Sequence, residues 1–123
     1  LRDRPAAQSF AAAQSAALEA ARSHLYAGTE QVWEDAVAAR AVDPTRVAAL
    51  FAAAQHAIAV ARETVDGAFA LVGTAALYVD NPLERAHRDM HAMLRHIVAQ
   101  PSWLEQVGRL EFGLEPTEPL FLV

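Results

Sequence analysis

The densest group of reactive side chains lies in one stretch, Leu83-Glu-Arg-Ala-His-Arg-Asp-Met-His-Ala-Met-Leu-Arg-His-Ile-Val98. At 100° per residue a helix puts Leu83, Ala86, Met90, Leu94 and Ile97 on an apolar face and Glu84, Arg88, His91 and Arg95 opposite. Arg85, Asp89, Ala92 and His96 fall between, within about 60° of one another. A histidine at such a border is held by packing and still reaches a ligand. The residue type, near neutral when unperturbed, suits a proton donor or acceptor, and the competing reading is a boundary histidine bonded to a neighbour. Arg85 and Asp89 are four apart and can pair, at about 0.3 to 0.5 kcal/mol when exposed.

The same stretch holds a Glu-x-x-His spacing, Glu84 to His87, and His91 lies one turn beyond His87. Two helical metal ligands have that spacing. A carboxylate-bridged di-iron bundle needs a second Glu-x-x-His and two more inward glutamates, and neither long helix provides them. Glu84, His87 and His91 are therefore expected on the solvated side, with no metal. His24 and His56 are lone helical histidines, expected to be structural or exposed. One further candidate is Leu71-Val-Gly-Thr-Ala-Ala76, where Gly73 permits a close backbone approach and Thr74 offers a hydroxyl. A tight helix end explains the pair equally well. The chain has no phosphate-binding glycine loop and no nucleophile elbow.

These side chains must be carried by helices. The first is expected from about Asp3 to about Val42, with Phe10, Leu18, Leu25, Val32 and Trp33 recurring near multiples of 3.6 and Gly28 as a weak point. Asp43-Pro44-Thr45 stops it and starts the next, since Pro44 excludes Asp43 from the α region and Asp43 or Thr45 can cap. In the second helix Val47, Phe51, Ala54, Ile58, Val65, Phe69 and Val72 mark one face. Gly67 and Gly73 on or near it mark close packing or a helix end. Asn81-Pro82 opens a third helix, expected to reach about Ala99, where Gln100-Pro101 stops it. Ser102-Trp-Leu-Glu105 matches a capping box opening a fourth, to about Phe112, closed by Gly113. The last residues, with Pro116 and Pro119, read as an extended tail. The expected fold is all-α, an antiparallel up-and-down four-helix bundle forming a single domain over residues 1–123.

Composition excludes several classes of function. With no cysteine, thiolate metal sites, disulfides and cysteine nucleophiles are ruled out. Fifteen acidic residues against ten basic ones, a formal charge of −5 and no basic stripe argue against nucleic-acid binding. The longest uncharged run, Val47 to Ala61, is shorter than the roughly 20 apolar residues a bilayer requires. No export signal is recognisable, and a cytoplasmic location suits the composition. Of the 123 residues 29 are alanine, and alanine faces bury little area each, so some apolar surface is expected to await another domain or subunit.

The segment from Val65 to Pro116 resembles the C-terminal helical domain of the acyl-CoA dehydrogenase superfamily. The resembling residues are Gly73-Thr74, Asn81-Pro-Leu-Glu-Arg85, Arg88-Asp89, His96, Gly108 and Gly113-Leu-Glu-Pro116. In that superfamily the classical dehydrogenases carry a catalytic glutamate, in a Glu-Gly-Thr context, at the position Ile97 occupies here. Arg88-Asp89 followed by His96 instead resembles the flavin-dependent monooxygenase branch, the oxygenase components of two-component systems. The resemblance implies FAD or FMN, reduced by a separate flavin reductase, and a small-molecule substrate, with homotetramers common. It implies that His96 is catalytic, near the reactive edge of the flavin. It further implies that Gly73 and Thr74 contact the flavin's phosphate or adenine side and that Arg85 and Asp89 orient the helices. Because the family also uses an N-terminal helical and a middle β-domain, this chain is expected to be part of a longer protein that binds flavin poorly without them. The other readings are an acyl-CoA dehydrogenase-like enzyme domain and a non-catalytic helical oligomerisation module.

Overall fold

In a computed structural model, residues 1–41 and 43–119 are described, and every regular element among them is helical. Helix α1 spans Pro5–Val37, α2 Pro44–Val72, α3 Pro82–Met93 and α4 Ser102–Glu111. Two short 3₁₀ turns, Gly73–Leu77 and Ile97–Ala99, follow α2 and α3. None of the described helices is long and apolar enough to cross a membrane.

The helix boundaries follow local chemistry. Pro44 opens α2, and the Asp43 carboxylate accepts from the Thr45 backbone N–H and hydroxyl, both at 2.8 Å. Gly73 closes it at φ +68, in the left-handed region. Asn81 caps α3 by accepting from the Leu83 N–H at 3.0 Å, and its amide donates to the Ala75 carbonyl at 3.0 Å. Three expectations need correction. Helix α1 ends at Val37, because Ala39 turns left-handed at φ +51 and Arg40 folds back onto Asp35; Val42 lies outside the described residues. The expected Ser102-Glu105 capping box does not form. Pro101 occupies the N-cap with no side-chain cap bond, and Ser102 is already helical. Helix α3 ends at Met93, not near Ala99.

Pro101 accounts only for the far end of this segment. In a continuous helix the Ile97 carbonyl would bond the N–H of residue 101, which proline lacks, and the proline ring would collide with that carbonyl. The Trp103 indole N–H takes the Ile97 carbonyl at 2.6 Å instead, and the α conformation already ends before it, at His96, which is extended at ψ 145 and caps the next turn with its side chain.

Helix α2 is the hub, with α1, α3 and α4 all packed on it. Helices α1 and α2 run in opposite directions, since Phe10 meets Gly67, Gln14 meets Thr64, His24 meets His56 and Asp35 meets Arg46. Their buried seam is small-sided. Ala21, Gly28 and Asp35 are the buried residues of α1, one every seven positions, the spacing of a supercoiled pair. A Cβ added at Gly28 would lie 3.4 Å from the Leu50 Cα, so the helices approach closely there and Gly28 is a packing position rather than a weak one. At Gly67 the Phe10 ring fills the space a side chain would occupy. Leu18 and Trp33, expected on the partner-facing stripe, are exposed, Trp33 by 67%. At the other end Ala48, Trp103 and Val107 form a buried cluster under Phe51 and Leu110, with the Phe51 and Trp103 rings stacked at 4.6 Å.

Candidate functional site

Because α3 stops at Met93, His96 stands outside the helix as the N-cap of the Ile97–Ala99 turn. Its backbone N–H donates to the Met93 carbonyl at 2.9 Å, and its Nδ1 accepts from the Val98 N–H at 3.2 Å. An accepting Nδ1 puts the proton of a neutral ring on Nε2, leaving a donor on the outer edge of the imidazole. The ring borders an open groove of about 680 Å³ lined by Ile58 of α2, Met90, Ala92 and Met93 of α3, and Val98 and Ala99 of the turn. The wall is almost wholly aliphatic and thioether, and His96 is its titratable member.

The turn that carries His96 is held from two sides. Gln55, buried in α2, donates its amide to the Val98 carbonyl, and Trp103, buried in α4, holds the Ile97 carbonyl. Gln100 closes the segment by donating to the carbonyls of Leu94 at 3.4 Å and His96 at 3.3 Å. Sequence reasoning missed Gln55 and Trp103 in this role. The available signal was a lone glutamine in the long apolar run of α2 and a tryptophan just after the proline that frees a carbonyl.

The other expected site residues do not gather around His96. Arg85 and Asp89 do pair, Nε to Oδ2 at 3.4 Å, but on an exposed face one turn apart, with side chains 78% and 58% accessible. Gly73 and Thr74 are exposed at the end of α2. None of these four lines the groove. The faces of α3 are also rotated from expectation. Ala86 and Ile97 are exposed, whereas Leu83, Glu84, His87, Met90 and Leu94 face inward. His87 is correspondingly half-buried, its ring stacked on Phe69 at 4.1 Å, and with His91 it converges on Asp66 of α2.

Residues 1–101 match the family described as acyl-CoA dehydrogenase, C-terminal domain. The chain belongs to that family. Among curated proteins it is similar to the indole-3-acetate monooxygenase of Pseudomonas putida, 32% identical over 116 residues, covering 94% of this chain and 30% of that one. It is likewise similar to the indole-3-acetate monooxygenase of Acinetobacter baumannii, 28% identical over 114 residues, covering 93% of this chain and 29% of that one. The chain thus spans about 30% of the length of the curated relatives it matches. Within this acyl-CoA dehydrogenase-type domain the His96 groove is built from α2, α3 and the turn that α4 holds in place.

Proposed function

We propose that residues 1–123 form the C-terminal helical domain of a flavin-dependent monooxygenase that acts on an aromatic or related small molecule. The observation that carries this reading is His96, an imidazole rather than a carboxylate, exposed at the edge of an apolar groove with its Nδ1 capping the Ile97–Ala99 turn. Ile97, which takes the position of the dehydrogenase glutamate, has no proton acceptor on its side chain and is 66% exposed.

The residues present fit one edge of a planar ring system. Ile58, Met90 and Met93 offer aliphatic and polarizable contacts, and the Nε2–H of His96 offers one donor at the rim. FAD or FMN, reduced by a separate flavin reductase, would supply the activation of oxygen. His96 would donate a hydrogen bond from Nε2 and exchange a proton there with a phenolic or heteroaromatic substrate. Gln55, Trp103 and Gln100 would hold the turn that carries the ring over the groove, while the buried Met90 and the exposed Met93 would offer its apolar wall. Gly73 and Thr74 serve the distal part of the flavin, and the exposed Arg85-Asp89 pair faces a neighbouring domain or subunit. The names of the relatives support indole-3-acetate as the first substrate to try, and a homotetramer in the cytoplasm is the setting proposed.

The test uses the full-length protein with a flavin reductase, indole-3-acetate and oxygen. His96→Ala is expected to lower hydroxylation by about 100-fold or more, the range of general acid-base catalysis, while flavin affinity changes little. His96→Gln, which retains a donor, is expected to recover part of the loss. Unchanged turnover in His96→Ala would remove the assigned role, and oxidation of acyl-CoA by the wild type without oxygen-dependent hydroxylation would favour the dehydrogenase reading.

A further inference from the structure

A second set of convergent side chains lies outside the His96 groove. His87 and His91 are one turn apart on α3, and Asp66 reaches them from α2. The Asp66 Oδ1 is 2.8 Å from His91 Nε2 and 3.4 Å from His87 Nε2, and the three ligand atoms all lie within 4.8 Å of one another. The two rings are 4.5 Å apart, and the Phe69 ring stacked on His87 fixes its tilt. His91 and Asp66 open into a recess of their own, of about 620 Å³, shared with Arg62, Glu63, Phe10 and Leu94. The cluster is therefore partly buried, with an entry path.

We propose that Asp66, His87 and His91 form a binding site for one divalent transition-metal ion of the zinc class, with water in the fourth position. Zinc bonds of about 2.0 to 2.2 Å in a tetrahedron set ligand atoms roughly 3.3 to 3.6 Å apart. The His87-Asp66 separation of 3.4 Å already matches; the His91-Asp66 separation of 2.8 Å must lengthen, and the two histidine nitrogens, within 4.8 Å of each other, adjust by side-chain rotation. Two imidazoles and one carboxylate select zinc, cobalt, nickel or copper over magnesium and calcium, which prefer oxygen donors. A metal bound there ties α3 to α2, the two helices whose side chains also wall the His96 groove. The di-iron arrangement weighed against the sequence demanded two further glutamates; this site needs only Asp66, which comes from another helix and 21 positions away from His87.

The experiment titrates Zn2+ into the tag-free full-length protein by calorimetry and Co2+ while recording its visible spectrum. One ion per chain is expected, with the intense absorption of four-coordinate cobalt. His87→Ala, His91→Ala and Asp66→Asn should each weaken Zn2+ binding at least tenfold. His56→Ala, which removes one ring of the separate His24-His56 pair (centroids 6.4 Å apart), should leave it unchanged. Far-ultraviolet circular dichroism confirms that each variant is folded, and Asp66→Asn preserves side-chain shape where an alanine would not. The proposal is overturned by the absence of stoichiometric Zn2+ binding in the wild type. It is equally overturned by binding that survives both histidine substitutions, or by Mg2+ competing as well as Zn2+. None of these readouts depends on hydroxylation or flavin, so the site stands or falls separately from the proposed enzyme activity.

Discussion

His96 owes its placement to two side chains from other helices, Gln55 of α2 and Trp103 of α4. Gln55 and Trp103 capture the carbonyls of Val98 and Ile97, and the imidazole then caps the same turn through Nδ1. Gln55→Leu keeps the volume but leaves the Val98 carbonyl to solvent. It is expected to lower stability by about 1 kcal/mol, the net value of one such bond, seen as a lower urea midpoint with unchanged slope. Asp35 is the other residue whose partners decide its role. It is 5% exposed, and both carboxylate oxygens accept from arginines, Arg40 and Arg46, at 2.8 Å. Both arginines are partly solvated, so the relevant scale is that of hydrogen bonds to charged groups. Asp35→Ala should cost about 2 kcal/mol, measurable by thermal or urea unfolding.

At the scale of elements, the α1-α2 pair depends on close approach rather than on large side chains. Ala21 and Gly28 form the seam, and only 3.4 Å separates a Gly28 Cβ from the Leu50 backbone. Gly28→Leu must push the helices apart, and the cost of overpacking, about 1 to 3 kcal/mol, should exceed the gain in helix propensity, about 1 kcal/mol. Calorimetric unfolding of this variant is expected to show a lower Tm. The start of α2 carries a pH dependence. The Thr45 backbone N–H and then the Thr45 hydroxyl hold the Asp43 carboxyl below its usual value of 3.8; desolvation opposes them, and the Arg46 charge adds the smallest lowering. A lowered folded pKa contributes stability that is fully present above the unfolded value and lost as pH falls through the folded one. Stability should therefore decline as acid is added below about pH 4. Asp43→Ala should flatten that decline, checked by urea melts across the acid range.

The whole molecule exposes 8402 Å², where a compact monomer of 13.3 kDa exposes roughly 6,450 Å². Trp33, Val37, Tyr78, Val79 and Phe112 are each at least 67% accessible. Exposed apolar surface of this extent is of the kind that interaction sites present, and the chain spans about 30% of the length of the curated relatives it matches. The 123-residue chain by itself is expected to self-associate or bind a hydrophobic dye, and Trp33→Ser combined with Phe112→Ser should reduce both. In the full-length protein the same double substitution should weaken assembly, as read by light scattering; an unchanged assembly and unchanged dye binding would show that these side chains face only water.

Local signals in the chain were sufficient for much of this. Asn81-Pro82, Pro44 with Asp43, and Gly113 announce their boundaries because capping and φ restriction act over a few residues. The helical class follows from periodicity, and the Arg88-Asp89 to His96 pattern carries the resemblance to the family. What required tertiary structure was everything decided by a distant partner. Pro101 marks a stop, but only Gln55 and Trp103 determine where the freed carbonyls go, and thus that His96 leaves the helix. The inward face of α3 is chosen by Asp66 and Phe69 on α2, which draw His87 from the side a helical wheel assigns to water. In α1 the buried seam falls on alanine and glycine, because close backbone approach excludes the larger residues that hydrophobicity alone would have placed there.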